Sequence, residues 1–121
     1  MLEGERHISL VTFRRDGREV ATPIWFAEDA GALVGFTLGE SGKVKRLRNS
    51  PRAKFAACDA RGRVHGNWRD ARATFVSDPA GVSSALAALH AKYGWMMALA
   101  DFFSRLSGRY TRRVYLRIAP G

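Results

Sequence analysis

Residues 36–51 read FTLGESGKVKRLRNSP, a stretch in which a strand end, a tight turn and a basic helix follow one another. Gly39 breaks the strand, Ser41 is a favourable N-cap, and Pro51 stops the helix just after about Asn49. The start of such a helix presents backbone N–H groups without partners inside the helix, together with a partial positive charge. The stretch therefore predicts a helix N-terminus directly behind a strand.

Three side chains at this helix start could contact an anion: the hydroxyls of Thr37 and Ser41 and the ammonium of Lys43. With the free N–H groups they would make a competent site for a monophosphate. The same residues also fit an N-capped basic helix that lies on the surface and binds nothing. The residue types alone leave both interpretations open.

Three strand-like segments precede the helix, at residues 8–13, 20–27 and 32–38. Asp16-Gly17 is typical of a two-residue hairpin between the first two segments. Pro23 cannot donate a hydrogen bond to a ladder, so the second segment should bulge or present an unpaired edge. We expect the three segments to form an antiparallel meander.

The second half of the chain predicts three more strands and a helix pair. Apolar side chains recur at helical spacing after Asp78-Pro79 and again after Gly94. The further strands are expected at residues 53–58, 64–76 and 112–118. Six mostly sequential strands, a short helix after the third and a helix pair before the last predict a single α+β domain over residues 1–121. This order favours a small antiparallel barrel over a sandwich.

Charge is the strongest compositional signal. Twenty Lys and Arg against eleven Asp and Glu give a net charge of +9. Such a surplus indicates a polyanionic partner or a phosphate- or carboxylate-bearing ligand. A basic surface that only keeps the protein in solution would give the same net charge. The charged start, the single cysteine and the lack of a long apolar run lead us to expect a cytoplasmic protein that does not enter a membrane.

Familiar catalytic motifs are missing from the sequence. It contains no Gly-rich dinucleotide fingerprint, phosphate-binding P-loop, HExxH or CxxC pair. His7, His65 and His90 lack the spacing of metal ligands, and Cys58 falls where a small core residue belongs. We therefore expect no metal site and assign no catalytic residue.

The stretches SLVTFRRDGREVATPIWF, SGKVKRLRNSPRAKFAACDARGR and KYGW are spread over residues 9–95. In this order they resemble the pyridoxamine 5′-phosphate oxidase-like superfamily, and more specifically its class of probable F(420)-dependent enzymes. The resemblance implies a split β-barrel that forms a homodimer, with FMN or F(420) in a groove between the protomers. It also implies an oxidoreductase that transfers a hydride between this cofactor and a small organic substrate.

The same resemblance assigns cofactor contacts. The helix start would hold the phosphate, the backbone of the second strand would line the tricyclic ring, and Trp68 would approach from the partner chain. The implied cofactor-binding residues are Thr22, Pro23, Ile24, Trp25, Thr37, Ser41, Lys43, Lys45 and Trp68. Core or interface packing explains Trp25 and Trp68 equally well.

Two departures from the family pattern bear on the substrate and the cofactor. The strand at residues 21–27 lacks the Arg and Lys of FMN-dependent pyridoxamine-phosphate oxidases, and Gly42 stands where an arginine usually follows the site serine. Both argue against oxidation of pyridoxamine phosphate itself. F(420) carries an oligoglutamate tail besides its phosphate, which would account for the surplus cations better than FMN does. The cations that could screen the tail are Lys45, Arg46, Arg48, Arg61 and Arg63.

Two other function classes stay open. A split barrel could hold a flavin or haem as a carrier or sensor without turnover. The scattered basic residues and the lack of a recognition motif argue against the other class, nucleic-acid binding. Separately, the apolar residues Trp95, Phe102 and Phe103 of the helix pair are consistent with a partner surface.

Overall fold

The computed structural model describes Leu2 and residues 4–121. This part of the chain forms seven strands, three α-helices and one 3-10 turn. The strands are β1 His7–Phe13, β2 Glu19–Trp25, β3 Ala27–Asp29, β4 Ala32–Leu38, β5 Arg52–Cys58, β6 Arg69–Val76 and β7 Arg113–Pro120. The helices are α1 Gly42–Asn49, α2 Pro79–Tyr93 and α3 Trp95–Leu106, and the 3-10 turn is Tyr110–Arg112.

All seven strands belong to one antiparallel sheet in the order β2-β1-β5-β6-β7-β4-β3. The sheet curls until the end of β2 touches β4, but no ladder joins these two strands in the described chain. At Gly35 a Cβ atom would lie 2.8 Å from the carbonyl oxygen of Trp25, so only glycine permits this approach. The fold is α+β and fits a split barrel, with seven strands rather than the predicted six, in a sheet that is not closed.

The predicted three-strand meander is wrong beyond its first hairpin. β1 pairs with β2, but β4 pairs with β3 and β7 and not with β2. The cause is an interruption at Phe26, which divides the predicted second strand into β2 and β3. After this break the chain continues at the opposite end of the sheet.

The edge prediction for Pro23 is confirmed, because β2 is the terminal strand of the sheet. The carbonyl of Trp25 faces β4 across the split. Since backbone groups alternate in direction along a strand, Pro23 turns its nitrogen toward the same open side, where no partner strand requires an N–H.

Two apolar layers hold the fold together. Alternate residues of the strands fill the barrel interior, and α2 with α3 covers the outer side of β3, β4 and β7. The interior includes Ile8, Leu10, Ile24, Phe26, Leu33, Phe55, Ala71, Ala73, Leu116 and Ile118. The outer layer centres on Val34, Leu89, Tyr93, Met97 and Tyr115.

Tyr93 ties the outer layer to the strand break. Its ring stacks on Trp25 with centroids 4.5 Å apart and an interplanar angle of 12°. Its hydroxyl accepts a hydrogen bond from the Phe26 N–H at 2.9 Å, and it can donate to the carbonyl of Arg6 at 2.6 Å or of Phe26 at 2.7 Å. One buried hydroxyl thereby satisfies backbone groups that the break removes from the sheet.

Both predicted C-terminal helices are confirmed. Asp78 caps α2 by accepting from the Gly81 N–H at 2.8 Å, and Pro79 is the first helical residue. The apolar stripe predicted on α3 is only partly used inside the chain, because α3 packs inward through Met97. Among the described residues, no helix combines the length and apolar character needed to cross a bilayer.

The limits of two strands differ from the predictions. The strand expected over residues 64–76 begins only at Arg69, and Val64 makes a single bridge to Cys58. The last strand runs to Pro120, where the sequence predicted an end at Ile118. Its alternation of apolar and polar residues follows the two faces of the sheet.

Replacing Tyr93 by phenylalanine should lower the free energy of unfolding by about 1–3 kcal/mol, because backbone groups at Phe26 lose a buried partner while the stacked ring remains. Urea unfolding followed by circular dichroism measures the change. Tyr110→Phe is the matched control, since the Tyr110 hydroxyl makes no hydrogen bond within the described chain. Equal stability of the two variants would contradict the anchoring role.

The difference between wild type and Tyr93→Phe should shrink as the pH rises from 10 to 12. Burial raises the pKa of Tyr93 from 10.0 to about 12. Above pH 10 the unfolded chain loses this proton and the folded chain keeps it, so the free energy of unfolding of the wild type falls. The variant lacks the hydroxyl, so its free energy of unfolding has no such pH dependence. Unfolding both proteins across this pH range tests the prediction, and a constant difference would contradict it.

Candidate cofactor site

The two hydroxyls predicted to hold a phosphate come together at the start of α1. Thr37 near the end of β4 donates from its hydroxyl to the Ser41 hydroxyl at 3.4 Å. Ser41 is the N-cap residue, with extended backbone, but its side chain makes no capping hydrogen bond. The first amides of α1 are therefore without a side-chain cap, as an incoming anion would require.

Lys43 lies half-buried in the first turn of α1. Burial lowers the pKa of its ammonium, and the charge of Arg46 lowers it further. No carboxylate pairs with Lys43 in the part of the chain that the structure describes. A bound anion would oppose both effects, because its negative charge favours the protonated form of the ammonium.

Arg46 brings a second cation over the helix start. Its Nε donates to the hydroxyl of Thr12, a fully buried residue of β1, at 2.6 Å. A Cβ atom at position 42 would lie 2.7 Å from Nη1 of Arg46, so Gly42 leaves the space that this guanidinium fills. Burial lowers the pKa of Arg46, and the nearby charge of Arg14 acts in the same direction.

An open basic groove of about 530 Å³ adjoins this helix start. It lies between the β1–β2 hairpin and α1, and it is lined by five cationic side chains and one carboxylate. That carboxylate, Asp16, already pairs with Arg18 at 2.7 Å. The full lining is Phe13, Arg14, Arg15, Asp16, Arg18, Gly42, Lys45, Arg46 and Asn49. The groove is therefore suited to a ligand with several negative charges.

The cations proposed to screen a polyanionic tail are only partly brought together. Lys45 and Arg46 line the groove, whereas Arg48 lies over the ring of Phe75 at 5.9 Å. The remaining two, Arg61 and Arg63, belong to a turn in which their backbone N–H groups donate to Asp59, and neither lines the groove.

The predicted ring-binding residues of β2 point in two directions. Ile24 is buried in the barrel interior, and its register partner Ile8 is interior too. Thr22 shares this face by alternation, and its hydroxyl is buried without a hydrogen-bond partner among the described residues. Pro23 and Trp25 belong to the other face, where Trp25 packs on Tyr93. The side chains of Ile24 and Trp25 are thus used in packing within the chain, and backbone groups at the open edge of β2 are left to border a ligand.

Trp68 stands apart from the helix start. It precedes β6 and is 43% exposed, and the ammonium of Lys54 lies 5.6 Å from its ring centroid. Lys54 projects from the outer face of β5, since the neighbouring Phe55 fills the interior. Within one chain the structure does not place Trp68 in the groove; its exposure leaves it accessible to a second chain.

Sequence reasoning missed Thr12 and Arg14. Thr12 looked like an ordinary β-branched residue of a buried strand, although a hydroxyl in such a run signals a polar contact. Arg14 looked like a residue of a solvated hairpin turn. Both matter only because folding brings the hairpin beside α1.

Comparison with known proteins agrees with this architecture. The family described as pyridoxamine 5′-phosphate oxidase matches residues 1–120. No curated protein matches the chain. Among solved structures, it is similar to the conserved hypothetical protein Rv2991 from Mycobacterium tuberculosis, with a TM-score of 0.71 and 22% identity over 97% of this chain and 74% of that one.

Two further structures share the fold. HutZ, the heme storage protein from Vibrio cholerae, has a TM-score of 0.74 and 14% identity over 98% of this chain and 84% of that one. An F420 reductase has a TM-score of 0.57 and 20% identity over 99% of this chain and 90% of that one. At these identities the likeness concerns the fold, whereas the family match extends over nearly every residue. This chain belongs to the pyridoxamine 5′-phosphate oxidase family.

Proposed function

We propose that this protein is an oxidoreductase that binds F(420) or FMN and transfers a hydride between that cofactor and a small organic substrate. The observation that carries the proposal is the start of α1. Two hydroxyls and uncapped helix amides meet the cations Lys43 and Arg46 there, and neither cation has a carboxylate partner among the described residues. Family membership supports assigning this anion site to the phosphate of a flavin-type cofactor.

The donor set fits that phosphate. Hydroxyls and backbone amides donate to phosphate oxygens, and the ammonium of Lys43 supplies charge. Gly42 replaces the arginine usual in the family, but Arg46 places its guanidinium over the same position. The cation missing from the motif is therefore provided from one turn later in α1.

The open edge of β2 adds a second point of fit. β2 is the terminal strand of the sheet, so its outward backbone carbonyls and amides have no partner strand and could hydrogen-bond to a ligand. The tricyclic ring of a flavin or deazaflavin carries polar atoms along its rim. We place the ring along the backbone of residues 22–25, at the split of the barrel.

F(420) is the cofactor that we favour. FMN would occupy the phosphate site, but it has no further anionic groups to contact the cations of the basic groove. The oligoglutamate tail of F(420) would extend from the phosphate into the groove, where Lys45, Arg46 and Arg14 could meet its carboxylates. Exposed contacts of this kind are worth about 0.2–1 kcal/mol each, so several must act together.

In this proposal the bound cofactor supplies the hydride chemistry, and the protein supplies binding, orientation and exclusion of water. Lys43 and Arg46 neutralise the phosphate, and the hydroxyls of Thr37 and Ser41 fix its orientation. The β2 edge positions the ring. A second copy would close the groove and bring Trp68 toward the ring, which makes a homodimer the proposed active form.

Haem binding is the rival use of such a barrel, given the likeness to HutZ. Two of the three histidines are already engaged: His65 contacts Glu5 at 2.7 Å and His90 contacts Asp101 at 2.8 Å. None of the three lines the basic groove. The structure therefore favours a phosphate-bearing cofactor over haem.

Two lysine variants separate the phosphate site from the groove. Lys43→Ala should weaken binding of both FMN and F(420) by about 10- to 100-fold, because a charge-assisted contact is worth about 1.5–3 kcal/mol. Lys45→Ala should leave FMN binding unchanged and weaken F(420) binding only several-fold. Fluorescence titration of cofactor-free protein measures all four values.

Lys43→Arg is the control that keeps the charge, and it should bind more tightly than Lys43→Ala. Unchanged affinity of Lys43→Ala for both cofactors would remove the phosphate assignment. If Lys45→Ala lowered the affinity for FMN as much as for F(420), the groove would not be the tail site.

Turnover is tested separately from binding. Protein loaded with reduced F(420) should oxidise it in the presence of small organic acceptors, which absorbance of the deazaflavin follows. Lys43→Ala should lose this activity in parallel with its affinity. A wild type that retains the cofactor without turnover over a broad acceptor panel would be a carrier and not an oxidoreductase.

A further inference from the structure

Helix α3 is apolar on two opposite faces. Met97 is fully buried in the outer layer. The opposite face carries five large apolar side chains, all exposed. They are Trp95 at 73%, Leu99 at 46%, Phe102 at 59%, Phe103 at 57% and Leu106 at 74% exposure. Large apolar side chains grouped on one exposed helix face mark an interaction surface, so the outer face of α3 lacks its partner in a single chain.

Four of these residues follow the spacing of a helix–helix seam. Trp95, Leu99, Phe102 and Leu106 are separated by four, three and four residues. This is the alternation by which a and d positions of a coiled coil meet another helix. The spacing reads the same in both directions along α3, so the seam is complementary to a second α3 around a two-fold axis.

The position of α3 is fixed by a polar cluster beneath it. Nη1 of Arg113 contacts Asp101 at 2.7 Å, and Nη2 donates to the hydroxyl of Ser104 at 2.9 Å. The side chain of Arg113 is 2% exposed, and Asp101 also contacts His90 of α2. Breaking a buried pair of this kind is strongly unfavourable, so α3 cannot simply turn its apolar face inward.

The exposed area is large enough for self-association. At these exposures the five side chains present roughly 600 Å² per copy, given about 150–250 Å² for a fully exposed aromatic side chain. If two copies covered all of this area, about 1,200 Å² would be buried, which reaches the lower end of stable interfaces.

We propose that α3 docks on α3 of a second copy of this chain, antiparallel, with the two-fold axis between Leu99 and Phe102. Trp95 then packs on the partner subunit's Leu106, and Leu99 packs on the partner subunit's Phe102. The antiparallel direction keeps apart the basic helix ends, where Arg105 is followed by Arg109 and Arg112. This interface uses a different face from Trp68, so it does not depend on the proposed cofactor or on the groove.

A pair of charge variants tests the register as well as the contact. Leu99→Glu and Phe102→Lys should each halve the wild-type mass in sedimentation, with dissociation constants raised about 30-fold or more, as expected for central interface residues. Mixed in equal amounts, they should regain the wild-type mass, because Glu on one copy then faces Lys on the other. Ala91→Glu, at an exposed position of α2, is the control that should keep the wild-type mass.

Trp95 supplies an independent signal, since its emission should shift to longer wavelength when the seam opens. Thermal unfolding verifies that each variant is folded. A monomeric wild type, including one that instead binds anionic vesicles through α3, would overturn the proposal. So would variants that keep the full mass, or a mixture that fails to recover it.

Discussion

The fold depends on the interruption of the second strand at Phe26 and on the hydroxyl of Tyr93 that satisfies it. Without a partner, the backbone groups at this break would be buried and unpaired. With Tyr93 in place, the chain leaves β2 and begins β3 at the other end of the sheet. The barrel is split between β2 and β4 for this reason. The stacked Trp25 fixes α2 at the same point, which in turn positions α3.

The arrangement of the strands determines which side chains meet at the start of α1. β1 and β4 bring Thr12 and Thr37 to the start of α1, and the hairpin between β1 and β2 adds Arg14. Burial lowers the pKa values of Lys43 and Arg46, and repulsion from the neighbouring cations lowers them further. This repulsion destabilises the folded protein, and an anion bound at the helix start would remove that cost. Stability is thus offset against ligand affinity, as is common at functional sites.

Short sequence signals were sufficient to predict helix limits and an edge strand. Ser41 and Pro51 predicted the limits of α1, Pro23 predicted an edge strand, and Asp78-Pro79 predicted the start of α2. The prediction of a meander failed because strand pairing depends on Tyr93, which lies far along the chain from the break. The hydroxyl pair of the site was foreseen from spacing within one turn. The contact of Arg46 with Thr12 was not, since it joins a helix to a strand more than thirty residues away.

The central claim is that the start of α1 is the phosphate site of a flavin-type cofactor. Titrating the wild-type protein with F(420), and separately with FMN, in ¹⁵N–¹H correlation spectra tests it at each backbone amide. We expect the largest saturable shifts at Thr37, Gly42 and Lys43 with either cofactor, extending to Lys45 and Arg14 with F(420) alone. Largest shifts elsewhere, for example along α2 and α3, or no saturable change with either cofactor, would contradict it.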